Sequence, residues 1–185
     1  GKTLFAQLMD FLPWKTFHRI VDRHNGDRYV KSMTCAEQFR VMAFAQLTYR
    51  ESLRDIEVCL SAQSAKLYHM GLRQEIKRST LADANGRRPL AIFSETFAML
   101  SGLAGRLVRR EGREMVRLID ATPIPLGKLV DWARSNGRVT GLKLHVVHDP
   151  MADNPTDIAI TEANVNDIEL GRRVVGEPGC TSVLD

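Results

Sequence analysis

The sequence predicts an α+β chain of two domains. Residues 1–113 form an all-α front, and residues 114–185 form a back built on a mixed sheet with one crossover helix. Three observations carry that reading. Apolar residues recur at helical spacing through the front, from Leu4 to Leu107. Around Glu111-Gly112 the pattern gives way to short β-branched runs and alternating stretches. The charge balance changes at the same place: residues 1–113 hold 19 Lys and Arg against 11 Asp and Glu, and residues 114–185 hold 7 against 11. A basic front suits a polyanion such as DNA and an acidic back suits a cation, although a solvated basic surface explains the front equally simply.

The composition, 44% hydrophobic and 26% charged over 185 residues, is that of an ordinary globular chain. No apolar run approaches the roughly 18 to 20 residues of a membrane span. The first ten residues lack the long apolar core and small-residue cleavage site of a secretory leader, so a bacterial-type cytoplasmic location is expected. Cys35, Cys59 and Cys180 are odd in number and far apart, which points to reduced thiols rather than a disulfide framework or a zinc site.

In the front, Leu4, Phe5, Leu8, Met9 and Leu12 predict a short helix ended by Pro13, and Trp14, Phe17, Ile20 and Val21 a second stripe. His18 and His24 have no carboxylate or cysteine at ligand spacing. Asn25-Gly-Asp27 is a turn. Thr34 and Glu37 stand as N-cap and N3 of a capping box, opening a broadly apolar helix through Leu47. The stripe Leu53, Ile56 and Leu60 follows, with Arg50, Arg54 and Glu57 outward. The tight joint between these helices fits a helix-turn-helix or two packed helices of a bundle, and it contains no glycine. Ser79 or Thr80 caps a short helix that Asn85-Gly86 ends. Pro89 sits in the first turn of a long helix buried through Ile92, Phe93, Thr96, Phe97, Leu100, Leu103, Ala104 and Leu107. Arg106, Arg109, Arg110 and Arg113 gather at its C-terminal end, where the helix dipole favours cations, so this cluster has a structural reading beside a DNA one.

In the back, Val116, Leu118 and Ile119 read as a buried strand of about five or six residues closed by Asp120 and stopped at once by Thr122, Pro123 and Pro125. An unpaired carboxylate is costly inside a protein, so Asp120 should meet a metal ion, a donor or water. Leu129 to Arg134 forms one helical turn or a hairpin arm, and Ser135-Asn-Gly137 a turn. Thr140 to His148 alternates as a strand, with Leu142, Leu144 and Val146 on one face and Lys143, His145 and Val147 on the other. Asp149 to Pro155 is a loop, and Ile158, Ile160 and Thr161 belong to a further strand. Asn166 and Glu169 make a second capping box, opening a helix with Ile168, Leu170, Val174 and Val175 inside. Cys180 to Asp185 is a last strand, again closed by an aspartate.

The order strand, strand, strand, helix, strand is that of an RNase H-like fold, in which a right-handed crossover returns the fourth strand parallel to the first. Asp120 and Asp185 then end on one edge of one sheet. Two carboxylates so placed repel unless they share a divalent cation, and oxygen ligands alone suit Mg²⁺ or Mn²⁺. Such a site activates a water or a 3′-hydroxyl for in-line attack on a phosphodiester. Asp149, Asp153 and Asp157 read as solvated loop acids, and Asp167 and Glu169 as capping residues. Neither His145 nor His148 is expected to be catalytic.

Five segments carry a resemblance: Leu47-Thr-Tyr-Arg-Glu-Ser-Leu-Arg-Asp-Ile56, Lys66-Leu-Tyr-His-Met-Gly-Leu72, Arg78-Ser-Thr-Leu-Ala-Asp-Ala-Asn85, Leu118-Ile-Asp-Ala-Thr122 and Gly141-Leu-Lys-Leu-His145. They are similar to the DDE transposases of bacterial insertion sequences, of the IS-four kind with a helical N-terminal domain. The resemblance implies that Asp120 is the first acid of the triad and Asp185 the second, together holding Mg²⁺ (or Mn²⁺). It implies double-stranded DNA of the element's ends as substrate, and a homo-oligomer on that DNA. Candidate DNA contacts are Arg50, Arg54, Arg73, Lys77, Arg78, Arg87, Arg88, Arg109 and Arg110. The family's third acid, a glutamate on a late helix, has no counterpart before the chain stops at Asp185, so a truncated product with little or no activity alone is expected. The alternative is a non-catalytic DNA-binding or subunit-pairing remnant that inhibits the full transposase.

Overall fold

The structure is a computed structural model that describes residues 2–109, 115–126, 140–166, 168–169 and 180–184. The chain divides into two compact units, Gly1–Thr96 and Phe97–Asp185.

The first unit is helical: α1 (Leu4–Met9), α2 (Trp14–Arg23), α3 (Cys35–Leu47), α4 (Leu53–Ser61), two single 3₁₀ turns (Ser64–Lys66 and Tyr68–Met70), α5 (Arg78–Arg87) and the start of α6 (Leu90–Arg109). Val41, Phe44, Leu60, Leu72 and Leu81 form its central core. Phe17 packs on Phe39 at 5.4 Å between ring centroids and bolts α2 to α3. The capping box at Thr34 is present in full: Thr34 Oγ1 accepts from the Glu37 N–H at 3.2 Å, and Glu37 Oε2 accepts from the Thr34 N–H at 2.9 Å. Glu37 is buried, and burial would raise its pKa. The Arg73 guanidinium at 2.9 Å, with the Thr34 and Arg73 N–H groups, outweighs that and holds it down to about 2.

Several local expectations in this unit are corrected. Helix α1 ends at Met9 rather than at Pro13, which instead precedes α2, and Leu4 and Leu8 are exposed. The joint before α4 turns without glycine because Tyr49 adopts φ +55°, and Ser52 caps α4 by accepting from the Asp55 N–H. Neither Ser79 nor Thr80 caps α5, which begins at Arg78, whose N–H donates to Glu57 of α4 at 3.1 Å. Nor does Asn85-Gly86 end α5: Asn85 Oδ1 accepts from Gln38 Nε2 at 2.6 Å, and the helix runs on to Arg87. His24, half-buried as expected, has its carboxylate partner far along the chain: Glu95 of α6 at 2.6 Å, 71 residues away.

In the second unit, β1 (Met115–Pro125), β2 (Gly141–Asp149), β3 (Asn154–Glu162) and β4 (Cys180–Leu184) form one sheet in the order β3-β2-β1-β4. The first three are an antiparallel meander, and β4 runs parallel to β1. This mixed sheet, in a chain that also has an all-helical unit, is the α+β, partial RNase H-like arrangement. The β2–β3 loop is shorter than expected, since Asn154 and Pro155 already belong to edge strand β3. Asn166 Oδ1 accepts from the Ile168 N–H at 3.2 Å, as an N-cap does. The expected turn at residues 135–137, the element at 129–134 and the body of the crossover helix lie outside the described residues.

Candidate active site

Asp120 belongs to β1, and the reading that Thr122, Pro123 and Pro125 stop this strand is corrected. Asp120 stands mid-strand, opposite Val146 of β2, and the ladder continues through Pro125 opposite Gly141. The reason is parity. The Leu126 N–H donates to the Thr140 carbonyl at 3.1 Å, in register with the ladder, so even-numbered β1 residues turn their peptide groups toward β2. Pro123 and Pro125 are odd and present their nitrogens to the opposite edge, away from the β2 ladder. On that edge the last described pair of β4 is Leu184 beside Ile119, before the prolines begin. Gly141 completes the fit, because a Cβ there would strike the Ile124 carbonyl.

The sheet's two faces differ. Ile119, His145, Val147 and Asp149 lie on the buried face. His145 is 1% exposed, with Nε2 2.8 Å from Thr161 Oγ1. Arg117 donates to Asp149 at 2.6 Å, an ion pair joining β1 to the end of β2. Burial would raise the Asp149 pKa, but Arg117 and the N–H groups of Ala152 and Met151 lower it. Asp120 stands on the other face with Leu118, Val146 and Ile158. It is exposed, so the expectation that burial would force a partner on it is corrected; water reaches it directly. His148 shares this face, opposite Leu118 and diagonal to Asp120, and its Nε2 lies 3.5 Å from Asp153. Glu162 is opposite Leu142, which places it roughly 16 Å from Asp120 by strand spacing.

Among the described residues no group of three His, Cys, Asp or Glu is gathered to hold a metal. Asp185, the expected second ligand, lies outside the described residues. What the described backbone gives is a parallel β4 whose Leu184 is level with Ile119, one residue before Asp120. Asp120's oxygens are hard donors of the kind Mg²⁺ and Mn²⁺ take.

A family model described as "Transposase DDE domain" matches residues 111–183, covering this sheet and Asp120. Residues 111–183 are thus similar to the DDE domain of transposases. A model described as "Domain of unknown function (DUF4372)" matches residues 1–73 of the same chain. Relatives include "Putative transposase y4zB" of Sinorhizobium fredii (strain NBRC 101917 / NGR234), 59% identical over 105 residues, which is 57% of this chain and 30% of that protein. "Probable transposase for insertion sequence element IS5377" of Geobacillus stearothermophilus is 28% identical over 99 residues, 52% of this chain and 26% of that protein. The chain spans about a third or less of the length of the curated relatives it matches. No solved structure matches it.

The proposed DNA contacts fall into three groups. Arg54, Lys77, Arg78 and Arg87 are exposed, and Arg50 is half-buried 3.5 Å from Asp55. Arg73 and Arg88 are engaged: Arg73 forks onto Glu37, and Arg88 donates to the Met33 and Thr34 carbonyls and to Gln38 Oε1. The Arg109 side chain and all of Arg110 lie outside the described residues. Sequence reasoning missed the roles of Arg73 and Arg88 in tying down buried Glu37 and the loop before α3, because their partners are 36 to 55 residues away. The one signal was the position of Glu37 in the capping box. No helix of the described residues is long and apolar enough to cross a membrane.

Proposed function

We propose that this chain is the DNA-engaging and first catalytic portion of an insertion-sequence transposase. Asp120 and Asp185 would hold Mg²⁺ or Mn²⁺, and residues 1–113 would contact the element's double-stranded ends or pair transposase subunits into a homo-oligomer on DNA. The observation that carries the reading is the parallel pairing of β4 with β1, which ends level with Ile119, beside the first acid. When bound, the cation supplies charge neutralisation and an activated water or 3′-hydroxyl for phosphodiester cleavage and strand transfer. Asp120 contributes a solvent-facing carboxylate on a rigid strand whose register with β2 the Arg117–Asp149 pair fastens. The exposed Arg54, Lys77, Arg78 and Arg87 contribute cations for phosphate contacts.

Among residues 114–185 the two aspartates are the candidate ligands, Glu162 is too distant from Asp120 to join them, and two carboxylates make a weak centre. The chain by itself is therefore expected to bind duplex DNA in a salt-dependent manner and to cut it little or not at all. In a single-turnover assay with Mn²⁺ and DNA carrying the element's ends, DNA retention without nicking, unchanged by Asp120→Asn, is the expected result. Robust cutting that Asp120→Ala abolishes would overturn the two-ligand account. Absence of duplex binding at low salt would overturn the DNA-engaging one.

A further inference from the structure

The loop from α2 to α3 makes a turn that its sequence does not favour. The Val30 N–H donates to the Asp27 carbonyl at 3.2 Å, which puts Tyr29 at the third position of a turn with φ +62°. That position ordinarily takes glycine or asparagine. The ring is not held there by packing, since Tyr29 is 85% exposed. Its contact is Arg28, whose guanidinium lies 5.0 Å from the ring centroid and donates to the phenol oxygen at 3.2 Å. The loop beneath is rigid. Asp27 Oδ1 accepts from the Cys35 N–H at 2.6 Å, and a Cβ on Gly26 would strike Ile92. Arg88 ties the loop's far end to α3. A strained, solvent-facing aromatic on a fixed support is a feature that clusters at ligand sites.

Tyr29 stands at the edge of a cleft of about 520 Å³ between this loop and α5. That volume falls in the range of small-ligand sites, roughly 300–1,000 Å³. Arg28, Lys31 and Arg87 bring cations to its rim, and Asp83, 3.9 Å from Arg87 with both side chains mostly exposed, offsets only part of that charge. A planar ring beside a positive rim suits a base and its phosphate.

We propose that this cleft binds one nucleotide of an unpaired DNA strand, the base stacked on Tyr29 and the phosphates facing Lys31 and Arg87. The proposal rests on the DNA-processing reading and adds a site for a strand that has left the duplex. Base stacking tolerates any sequence, so the site selects unpaired geometry rather than a motif.

The test is fluorescence anisotropy of the full chain with a short labelled oligothymidine and with the same strand annealed to its complement. Tyr29→Ala is expected to weaken single-strand binding roughly tenfold, and Tyr29→Phe, which keeps the ring, by less than about twofold. Lys31→Ala with Arg87→Ala weakens it and flattens its salt dependence. Duplex binding changes little in the Tyr29 variants. Tyr29→Gly separates function from folding, because it relieves the positive φ: single-strand affinity falls while the melting temperature holds or rises. Unchanged single-strand affinity in Tyr29→Ala, with duplex binding intact, overturns this site and leaves the DNA-engaging reading standing. A lower melting temperature in Tyr29→Gly makes the tyrosine a packing residue and also overturns it. Loss of all DNA binding by the unaltered chain at low salt overturns both.

Discussion

The helical unit buries its large apolar side chains and surrounds its one buried acid with donors, whereas the sheet unit leaves the face that carries Asp120 open. Phe17, Val41, Leu60, Leu72, Leu81 and Ile92 are almost wholly enclosed. On the sheet, Leu118 is 40%, Val183 49% and Ile160 55% exposed, all on Asp120's face. The difference teaches where packing is complete. The helical unit has an enclosed core. The sheet sets out a carboxylate among exposed apolar neighbours.

The contrast is broken most forcefully in the helical core. Phe17→Ala should cost about 3–5 kcal/mol, read as a lowered denaturation midpoint of the full chain. A loss below about 1 kcal/mol would show that the core is not closed. Next is Asp149→Ala, which removes the carboxylate that the Arg117 guanidinium, 11% exposed, meets at 2.6 Å. Roughly 3 kcal/mol is expected, confined to unfolding of the sheet unit and followed by hydrogen exchange in β1 and β2.

Glu37→Gln should cost about 3 kcal/mol at neutral pH. The folded pKa of about 2 lies below the ordinary 4.5, so the contribution is complete above pH 4.5 and fades as the pH falls toward 2. Acid titration of stability should therefore show a drop in that window for the unaltered chain and a flatter profile for Glu37→Gln. The same slope in both would remove Glu37 from the account. Thr34→Ala, which loses one half of the capping box, should cost about 1 kcal/mol. At the small end, Ile160→Ser on the open face should stay within about 0.5 kcal/mol. A large loss there would mean that this face is packed in solution.

Much of this was legible along the chain because the signals were local. Thr34 and Glu37 announced α3, the period-3.6 stripe from Ile92 announced α6, and the alternation from Thr140 to His148 announced β2. The strand order with a parallel β4 followed from the sequence of elements and the handedness of crossovers. What stayed hidden was set by distant partners. Pro123 and Pro125 read as a stop, yet they fit because their nitrogens face away from the β2 ladder. The N-terminus of α5 is satisfied by Glu57, 21 residues away, rather than by a neighbouring hydroxyl. Arg73 and Arg88 looked like surface cations of the kind that meet DNA, and both are tied to α3 and its N-terminal loop. For the candidate site, Asp120 was legible as a strand carboxylate, but its exposure was not, because periodicity does not say which face of a two-faced sheet is covered.

The central claim is that Asp120 and Asp185 share one divalent cation, and Mn²⁺ titration of the full chain followed by electron paramagnetic resonance tests it most directly. The account predicts one weak site, with a Kd on the order of millimolar. Asp120→Asn or Asp185→Asn alone should weaken it at least about tenfold, and the double variant should do little further, because either loss dismantles the same site. Unchanged Mn²⁺ affinity in Asp120→Asn, or two losses that simply add as separate sites do, would contradict it.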